Sequence, residues 1–435
     1  MDNARRTAVL ALVKQEKSGY ANIVLSHVLE GFVGDVRDRA FVSALFYGTL
    51  ERQITLDYLL NPLLKKPITK MDAEVRAILR CGLYQAKYMS TVPRSAAVNE
   101  SVALTRALGK TSAQGLVNAV LRKAANANIE DLCFNTEEER LGAVYSVSQS
   151  VAGVFIKAYK NEAACQLAST LVPPQLCIRV NTMVATIEEL ELLYHKQNIH
   201  TKRGTVKGSL YVEYKGDITA TKAFRSGMFH VEGEASQLAC AALSPKQGCK
   251  VIDLCAAPGG KSATLAQYMQ NEGNLISADI ADNRLTLIDE LLTRNGVKCA
   301  KVVQNDAAVF NESFCDADYV LCDVPCSGLG ILSKKPDIRQ KNLDDLGSLT
   351  ALQSKILQTA SSYVKKGGAL VYSTCTVNPE ENEAIVNAFL SENKDFITRK
   401  IENVPNGAQI SNNTVSFSPF HSKLDGFFVA SFERL

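Results

Sequence analysis

From residue 4 to residue 126 the apolar positions recur at helical spacing. Val9, Leu12 and Val13 share one face, Ile23, Val24 and Val28 another, and Phe41-Val42-Ser43-Ala44-Leu45-Phe46-Tyr47 continues to Leu50 ahead of Leu56–Leu64. Val75, Ile78, Leu79 and Leu83 form a further stripe, and Ala96–Leu108 and Gln114–Ala125 complete the set. Side chains at this spacing line one side of a helix, so the stretch predicts amphipathic helices packed as a bundle, with the aromatic residues of 41–47 in its core. Residues 127–170 add the acidic run Glu137-Glu138-Glu139 and another helical stretch ending near Leu171, closed by Pro173-Pro174.

The texture then changes. Leu176–Val180 and Leu210–Tyr214 are strand candidates around a helix at Ile187–Lys196, which suggests a small α+β subdomain. Beyond Gly248 strands and helices alternate: Lys250–Leu254, Asn274–Asp279, Ala300–Gln304, Asp318–Asp323 and Ala369–Ser373 are strands, with helices at 260–270, 282–295, 349–364 and 379–390 and a last strand at Gly426–Phe432. Short turns between alternating elements predict a doubly wound parallel sheet. The expectation is therefore a multidomain chain: an all-α bundle over 1–130, a helical connector with a small α+β subdomain over 131–240, and an α/β Rossmann-like domain over 241–435.

Charge changes this picture once it is divided. The 435 residues carry a net charge of +3, but residues 1–126 hold 18 Lys/Arg against 10 Asp/Glu (+8) and the remainder 30 against 35 (−5). A basic helical block on a mildly acidic body suggests nucleic acid at one end, while a solvated surface without a partner explains the same numbers. Apolar residues at 46% and charged residues at 21% exclude a wholly disordered chain. No stretch approaches the roughly 18 uncharged apolar residues that span a bilayer, so no membrane association is expected. The start, Met1-Asp2-Asn3-Ala4-Arg5-Arg6, has no apolar core of a signal peptide. With 12 scattered cysteines, no Cys-x-x-Cys pair and five His, the expectation is a reduced, cytoplasmic protein without a metal site.

In a doubly wound sheet ligands bind beyond the carboxyl ends of the strands. The first strand candidate runs into Asp253-Leu254-Cys255-Ala256-Ala257-Pro258-Gly259-Gly260-Lys261. Its small residues admit a ligand to the backbone, and the following helix N-terminus offers free N–H groups. It is neither Gly-x-Gly-x-x-Gly nor a Walker loop. The second strand ends in Asp279, placed to accept ribose hydroxyls. Asn305-Asp306 follows the third, Asp323-Val324-Pro325-Cys326-Ser327-Gly328 ends the fourth, and Ser373-Thr374-Cys375-Thr376 ends the fifth. Each has a bland reading: a tight turn, a helix cap, a core cysteine. Together, acids and two cysteines on consecutive strand ends point to one site. Position alone does not decide between Cys326 and Cys375 as nucleophile.

These motifs, with Pro379-Glu380-Glu381-Asn382-Glu383, resemble the RNA cytosine-C5 methyltransferase superfamily. Asp38-Arg39-Ala40, Tyr47-Gly48-Thr49-Leu50-Glu51-Arg52 and Val117-Asn118-Ala119-Val120-Leu121-Arg122 resemble a NusB-like RNA-binding domain. The pairing, together with Ile178-Arg179-Val180-Asn181-Thr182 and Asp425-Gly426-Phe427-Phe428-Val429-Ala430, resembles the RsmB (Sun, Fmu) family of 16S rRNA methyltransferases over nearly the whole chain. Departures are Val231-Glu232-Gly233-Glu234-Ala235-Ser236-Gln237 in place of a Gln-Asp-x-x-Ser-Gln-like turn, Val324 where the family has Ala, and the absence of any Trp, including the one usual near 148–154.

The resemblance implies methyl transfer from S-adenosylmethionine to C5 of a cytosine in unmodified 16S rRNA, either free or in an early assembly particle, by a chain expected to be a monomer. It implies that Cys255, Ala256, Ala257, Pro258, Gly259, Gly260 and Lys261 line the cofactor. Asp279 would hold its ribose, Arg284 would contribute, Asp306 would lie near its adenine, and Asp323 between its methionine end and the base. It makes Cys375 the nucleophile at C6, because covalent addition turns one hard step into easier ones. Cys326 would assist breakdown of the adduct. Asp323, as a protonated carboxyl raised by burial, would bond the base at N3, and Lys261 would either lower a thiol pKa or orient Asp323. The base must leave any stack. Arg5, Arg6, Arg37, Arg39 and Arg52 are candidate phosphate contacts, with a solvated or ion-paired surface charge as the alternative for each. Rival readings are an enzyme acting on tRNA or 23S rRNA, and a non-catalytic RNA-binding assembly factor. A dehydrogenase is disfavoured by the missing glycine fingerprint.

Overall fold

The computed structural model describes residues 3–18 and 20–435; Met1 and Asp2 of the N-terminal reading, and Gly19, lie outside the described residues. The chain forms two compact units, Met1–Leu171 with Leu332–Leu343, and Val172–Ile331 with Asp344–Leu435.

The first unit is helical. Seven helices, from Asn3–Ser18 to Gln114–Ala124, bury Val9, Leu12, Val42, Leu45, Phe46, Leu56, Ile78, Leu79 and Leu121 in one core, with Phe41 and Tyr47 packed against it. Some starts are capped by short polar side chains, which give acceptors to the first turn's free N–H groups: Asp35 and Asp38 form a reciprocal capping box, and Thr136 accepts from Glu139 N. Inside, the Arg80 guanidinium bridges Asp57 at 2.7 Å and Glu16 at 2.8 Å. Three further helices, Glu137–Tyr145, Gln149–Tyr159 and Ala163–Ser169, belong to this unit. The compact unit thus runs on past 130 to Leu171. Thr55 Oγ1 donates to Ala143 O at 2.6 Å, and Ser146 Oγ accepts from Ile54 N, which fastens the later helices to the bundle. Leu332–Leu343 joins the same unit through Arg339. Its fully buried guanidinium donates to Tyr145 O, Thr170 O and Thr170 Oγ1.

The second unit holds two sheets. The smaller comprises β1 (Cys177–Val180), β2 (Thr201–Arg203), β3 (Ser209–Val212) and β4 (Phe229–Val231), all antiparallel in the order β2-β3-β1-β4. This α+β piece belongs with the α/β domain, not with the connector helices it was grouped with from sequence. Arg179 Nε donates to Gln267 Oε1, Asn181 Nδ2 to Asn295 O, and Arg294 Nη1 to Phe224 O and Phe229 O.

The larger sheet contains β5 (Lys250–Asp253), β6 (Asn274–Asp279), β7 (Ala300–Gln304), β8 (Ala317–Asp323), β9 (Val364–Thr374), β10 (Phe396–Thr398), β11 (Gln409–Ser411), β12 (Thr414–Phe417) and β13 (Phe427–Arg434). Five strands run parallel in the order β7-β6-β5-β8-β9, and β13, β12 and β11 continue antiparallel from β9, with β10 on β13. The sheet is thus mixed, and β10, β11 and β12 are additions to the strands read from sequence. Alternate side chains serve opposite faces, as strand geometry requires. Ile252, Val320, Leu370 and Phe428 pack with the helices Leu346–Tyr363 and Glu383–Glu392, whereas Val251, Leu321, Val371 and Val429 pack with Glu234–Leu243 and Gly260–Tyr268. The chain steps from β5 outward to β7 and returns to the other side of β5 as β8. The crevice at the β5 and β8 carboxyl ends is therefore the switch point where such sheets bind ligands.

Candidate functional site

Asp253 ends β5 and is fully buried. Its Oδ2 accepts from Ser262 Oγ at 2.7 Å, and Oδ1 has no protein partner. Burial pushes its carboxyl up to about 7. The chain then turns through Leu254, Cys255, Ala256, Ala257 and Pro258 to Gly259, which has φ +106 and starts the helix at Gly260. A Cβ on Gly259 would meet Ile288 Cα at 3.2 Å, so glycine is required both by the backbone and by the packing. Cys255 belongs to the packing: burial raises its thiol well above the ordinary range, as it does for Cys322.

Asp279, at the end of β6, is buried and bonded to this loop: Oδ2 accepts from Ala257 N at 3.3 Å and Oδ1 from Ala281 N at 3.1 Å. Arg284 Nη1 stands 3.8 Å from Oδ1 on an exposed side chain. Asp306 follows β7 on the surface, where Oδ1 caps its own turn by accepting from Ala308 N at 2.9 Å. Beside these acids Ile280, Val309 and Phe310 leave apolar side chains in solvent. Sequence reasoning missed this apolar edge, whose signal is apolar residues within four positions after Asp279 and Asp306.

Across the crevice, Lys261 Nζ lies 2.7 Å from Asp323 Oδ2, and Ser373 Oγ donates to Asp323 Oδ1 at 2.8 Å. Burial alone would lower the Lys261 ammonium's pKa, but Asp323 and Glu232 outweigh it and the net shift is upward. Glu232 was not singled out from sequence. It is buried beside His230, with Thr264 Oγ1 donating to Oε2 at 2.8 Å and Ser236 Oγ to Oε1 at 3.1 Å. Against burial, His230 first, then Lys261 and Thr264, hold its carboxyl down at about 2. The Val231–Gln237 departure thus supplies a buried charge behind Lys261.

Cys326 and Cys375 stand together: their sulfurs are 3.1 Å apart and both side chains are half-buried. The hydrogen bond with Cys375, then burial, raises the Cys326 thiol well above its ordinary range. The structure brings Cys255–Lys261, Asp279, Asp323, Cys326 and Cys375 to the carboxyl ends of one sheet. Among the described residues no group of three or more His, Cys, Asp or Glu is placed to hold a metal ion, and no helix is long and apolar enough to cross a membrane.

The candidate arginines lie in the helical unit. Arg5 donates to Gln85 Oε1 at 2.7 Å and sits 4.9 Å over the Phe41 ring, Arg39 donates to Leu29 O, and Arg52 lies 4.9 Å over Tyr88. Arg37 is exposed and Arg6 half-buried.

Residues 240–433 match the family described as 16S rRNA methyltransferase RsmB/F, and residues 2–126 match the NusB family. A Bacillus subtilis (strain 168) protein, a probable ribosomal RNA small subunit methyltransferase B, is 33% identical over 99% of each chain. A Synechocystis protein with the same description is 32% identical over 100% of each chain. The fold matches the crystal structure of PH0851 with a TM-score of 0.86 at 24% identity, covering 100% of this chain and 99% of that one.

Proposed function

The chain belongs to the RsmB/F family of 16S rRNA methyltransferases, and on that premise we propose that it methylates C5 of a cytosine in small-subunit rRNA through a covalent cysteine adduct. The observation that carries this is the Cys326–Cys375 pair, 3.1 Å apart, beside the Lys261–Asp323 ion pair at the switch point.

S-adenosylmethionine, when bound, supplies an electrophilic methyl group. The residues present fit it. The unpartnered, buried Asp253 Oδ1 offers an acceptor at the head of the loop, and buried Asp279 offers a carboxylate to ribose hydroxyls. Cys255–Lys261, Asp279, Arg284, Asp306 and Asp323 would hold it.

Cytosine C5 is a poor nucleophile until C6 is substituted. Cys375 thiolate adds to C6, and the electron pair of the C5–C6 bond becomes available at C5. After methylation the C5 proton passes to water, its C–H electron pair re-forms the C5–C6 double bond and the S–C6 bond breaks, returning Cys375 as thiolate. Cys326, held as a thiol, serves this second half. Asp323 is oriented at both oxygens, by Lys261 and Ser373. These two bonds support Asp323 as the group that would be held in place to hydrogen-bond the base at N3. The ion pair also supports the orienting role for Lys261. The basic helical unit would hold flanking RNA through phosphates.

The test is incubation of the full chain with unmodified small-subunit rRNA and methyl-labelled cofactor, followed by site mapping. Label in one cytosine at C5 is expected; no incorporation overturns the reading.

A further inference from the structure

The fold also buries a carboxylate that the chemistry above does not use. Glu381 has no solvent exposure and precedes the helix Glu383–Glu392. Its Oε2 accepts from Ser327 N at 2.8 Å and Gln353 Nε2 at 3.0 Å. Its Oε1 accepts from Ser327 Oγ at 2.5 Å, Thr376 Oγ1 at 3.1 Å and Asn378 Nδ2 at 3.2 Å. A buried carboxylate is costly to desolvate and is no efficient route to stability, even when its lone pairs are satisfied.

The partners share one property. Ser327 follows Cys326, Thr376 follows Cys375, and their hydroxyl oxygens are 2.8 Å apart. Gln353 Nε2 also donates to Pro325 O at 2.9 Å, on the other side of Cys326. The neighbouring Asn382 accepts from Thr374 Oγ1 at 2.6 Å and donates to Thr376 O at 3.1 Å, bracketing Cys375. The residues flanking both sulfurs are therefore fixed from one place. An ionised carboxyl group alone among side chains offers two oxygens that accept only, which suits a point where every partner is a donor.

We infer that Glu381 is the positioning residue of the two-cysteine site: it locks two turns, carrying sulfurs 49 residues apart in the chain, into one arrangement. The inference rests on the cysteine roles of the proposed function. Its charge adds to the Cys375 hydrogen bond and burial that hold Cys326 as a thiol.

Glu381→Gln keeps the shape but turns an N–H2 group toward donors. In the full chain it should lower kcat on unmodified small-subunit rRNA by about 10- to 100-fold. Cofactor affinity, cofactor KM and Tm should stay near wild type, and the pH profile of kcat should move to lower pH as the charge near Cys326 is lost. Near-native turnover overturns the inference. So does a joint loss of turnover, cofactor affinity and Tm, which marks a merely structural role. Iodoacetamide labelling of Cys326 and Cys375, resolved by mass spectrometry, gives a readout that needs no turnover: the ratio of the two rates should change in Glu381→Gln. If the wild type transfers no methyl group, the proposed function fails. An unchanged labelling ratio fails the Glu381 inference alone.

Discussion

Lys261 Nζ stands 2.7 Å from Asp323 Oδ2, with Ser373 on the carboxylate's other oxygen. Because Asp323 and Glu232 outweigh burial and raise the lysine, its charge persists across neutral pH. A raised lysine contributes in full below its unfolded value and loses its contribution only as pH rises through the folded one, here above about 10.5. Lys261→Met should therefore lower methyl transfer by about 100-fold, evenly between about pH 6 and pH 9. Steady-state kinetics across that range check this; a defect that vanishes at one end contradicts it.

Asp253 gives the opposite sign. Its folded pKa of about 7 lies above the 3.8 of a free aspartate, so the native state keeps a proton that the unfolded chain has released. Stability then falls as pH rises from about 4 to about 7. Asp253→Asn, which still accepts from Ser262, should stabilise the cofactor-free protein by about 1–3 kcal/mol at pH 8 and flatten this dependence. Melting curves at pH 5 and pH 8 measure it; parallel shifts at both contradict it.

Arg339 anchors Leu332–Leu343 through three bonds to Tyr145 and Thr170. Burial lowers the guanidinium's pKa to about 10. Arg339→Ala leaves buried carbonyls without donors and should cost about 3 kcal/mol in denaturant unfolding. Arg339→Lys should restore little, because an ammonium lacks the planar fork. An unchanged midpoint contradicts the anchor.

The five basic candidates of the helical unit should separate. Arg5, bonded to Gln85 and stacked on Phe41, is part of the packing, so Arg5→Ala should cost about 1 kcal/mol of stability. Exposed Arg37 should leave Tm unchanged on substitution by Ala while reducing the salt slope of RNA binding by about 1. Filter binding at several salt concentrations reads this, and an unchanged slope removes Arg37 from the interface.

The helices of 4–126, the five parallel strands and the strand-end residues Asp279, Asp323, Cys326 and Cys375 were legible because each is encoded locally, by periodicity or a short motif. Strands β10–β12 were not: they are short, and β11 is exposed along its length, so no alternation marks it. The boundary at 171 depends on Thr55 reaching Ala143 and on Arg339 reaching residues 169 and 194 positions away, distances no local pattern reports. Glu232 and Glu381 stood in the sequence only inside quoted motifs, with no role of their own. Only the sheet, by bringing His230 to Thr264 and Ser327 to Thr376, makes them buried charges. Their clue was proximity to motifs: Glu232 lies in a turn that departs from its family, Glu381 in the run after Cys375.

The central claim is that the two sulfurs 3.1 Å apart divide the chemistry, Cys375 forming the bond to C6 and Cys326 helping to break it. The most direct measurement is denaturing gel electrophoresis of Cys326→Ala and Cys375→Ala after incubation with unmodified small-subunit rRNA and methyl-labelled cofactor. The account predicts that Cys326→Ala accumulates a shifted, labelled protein–RNA band and that Cys375→Ala shows neither band nor turnover. A trapped adduct in Cys375→Ala, with none in Cys326→Ala, would contradict it.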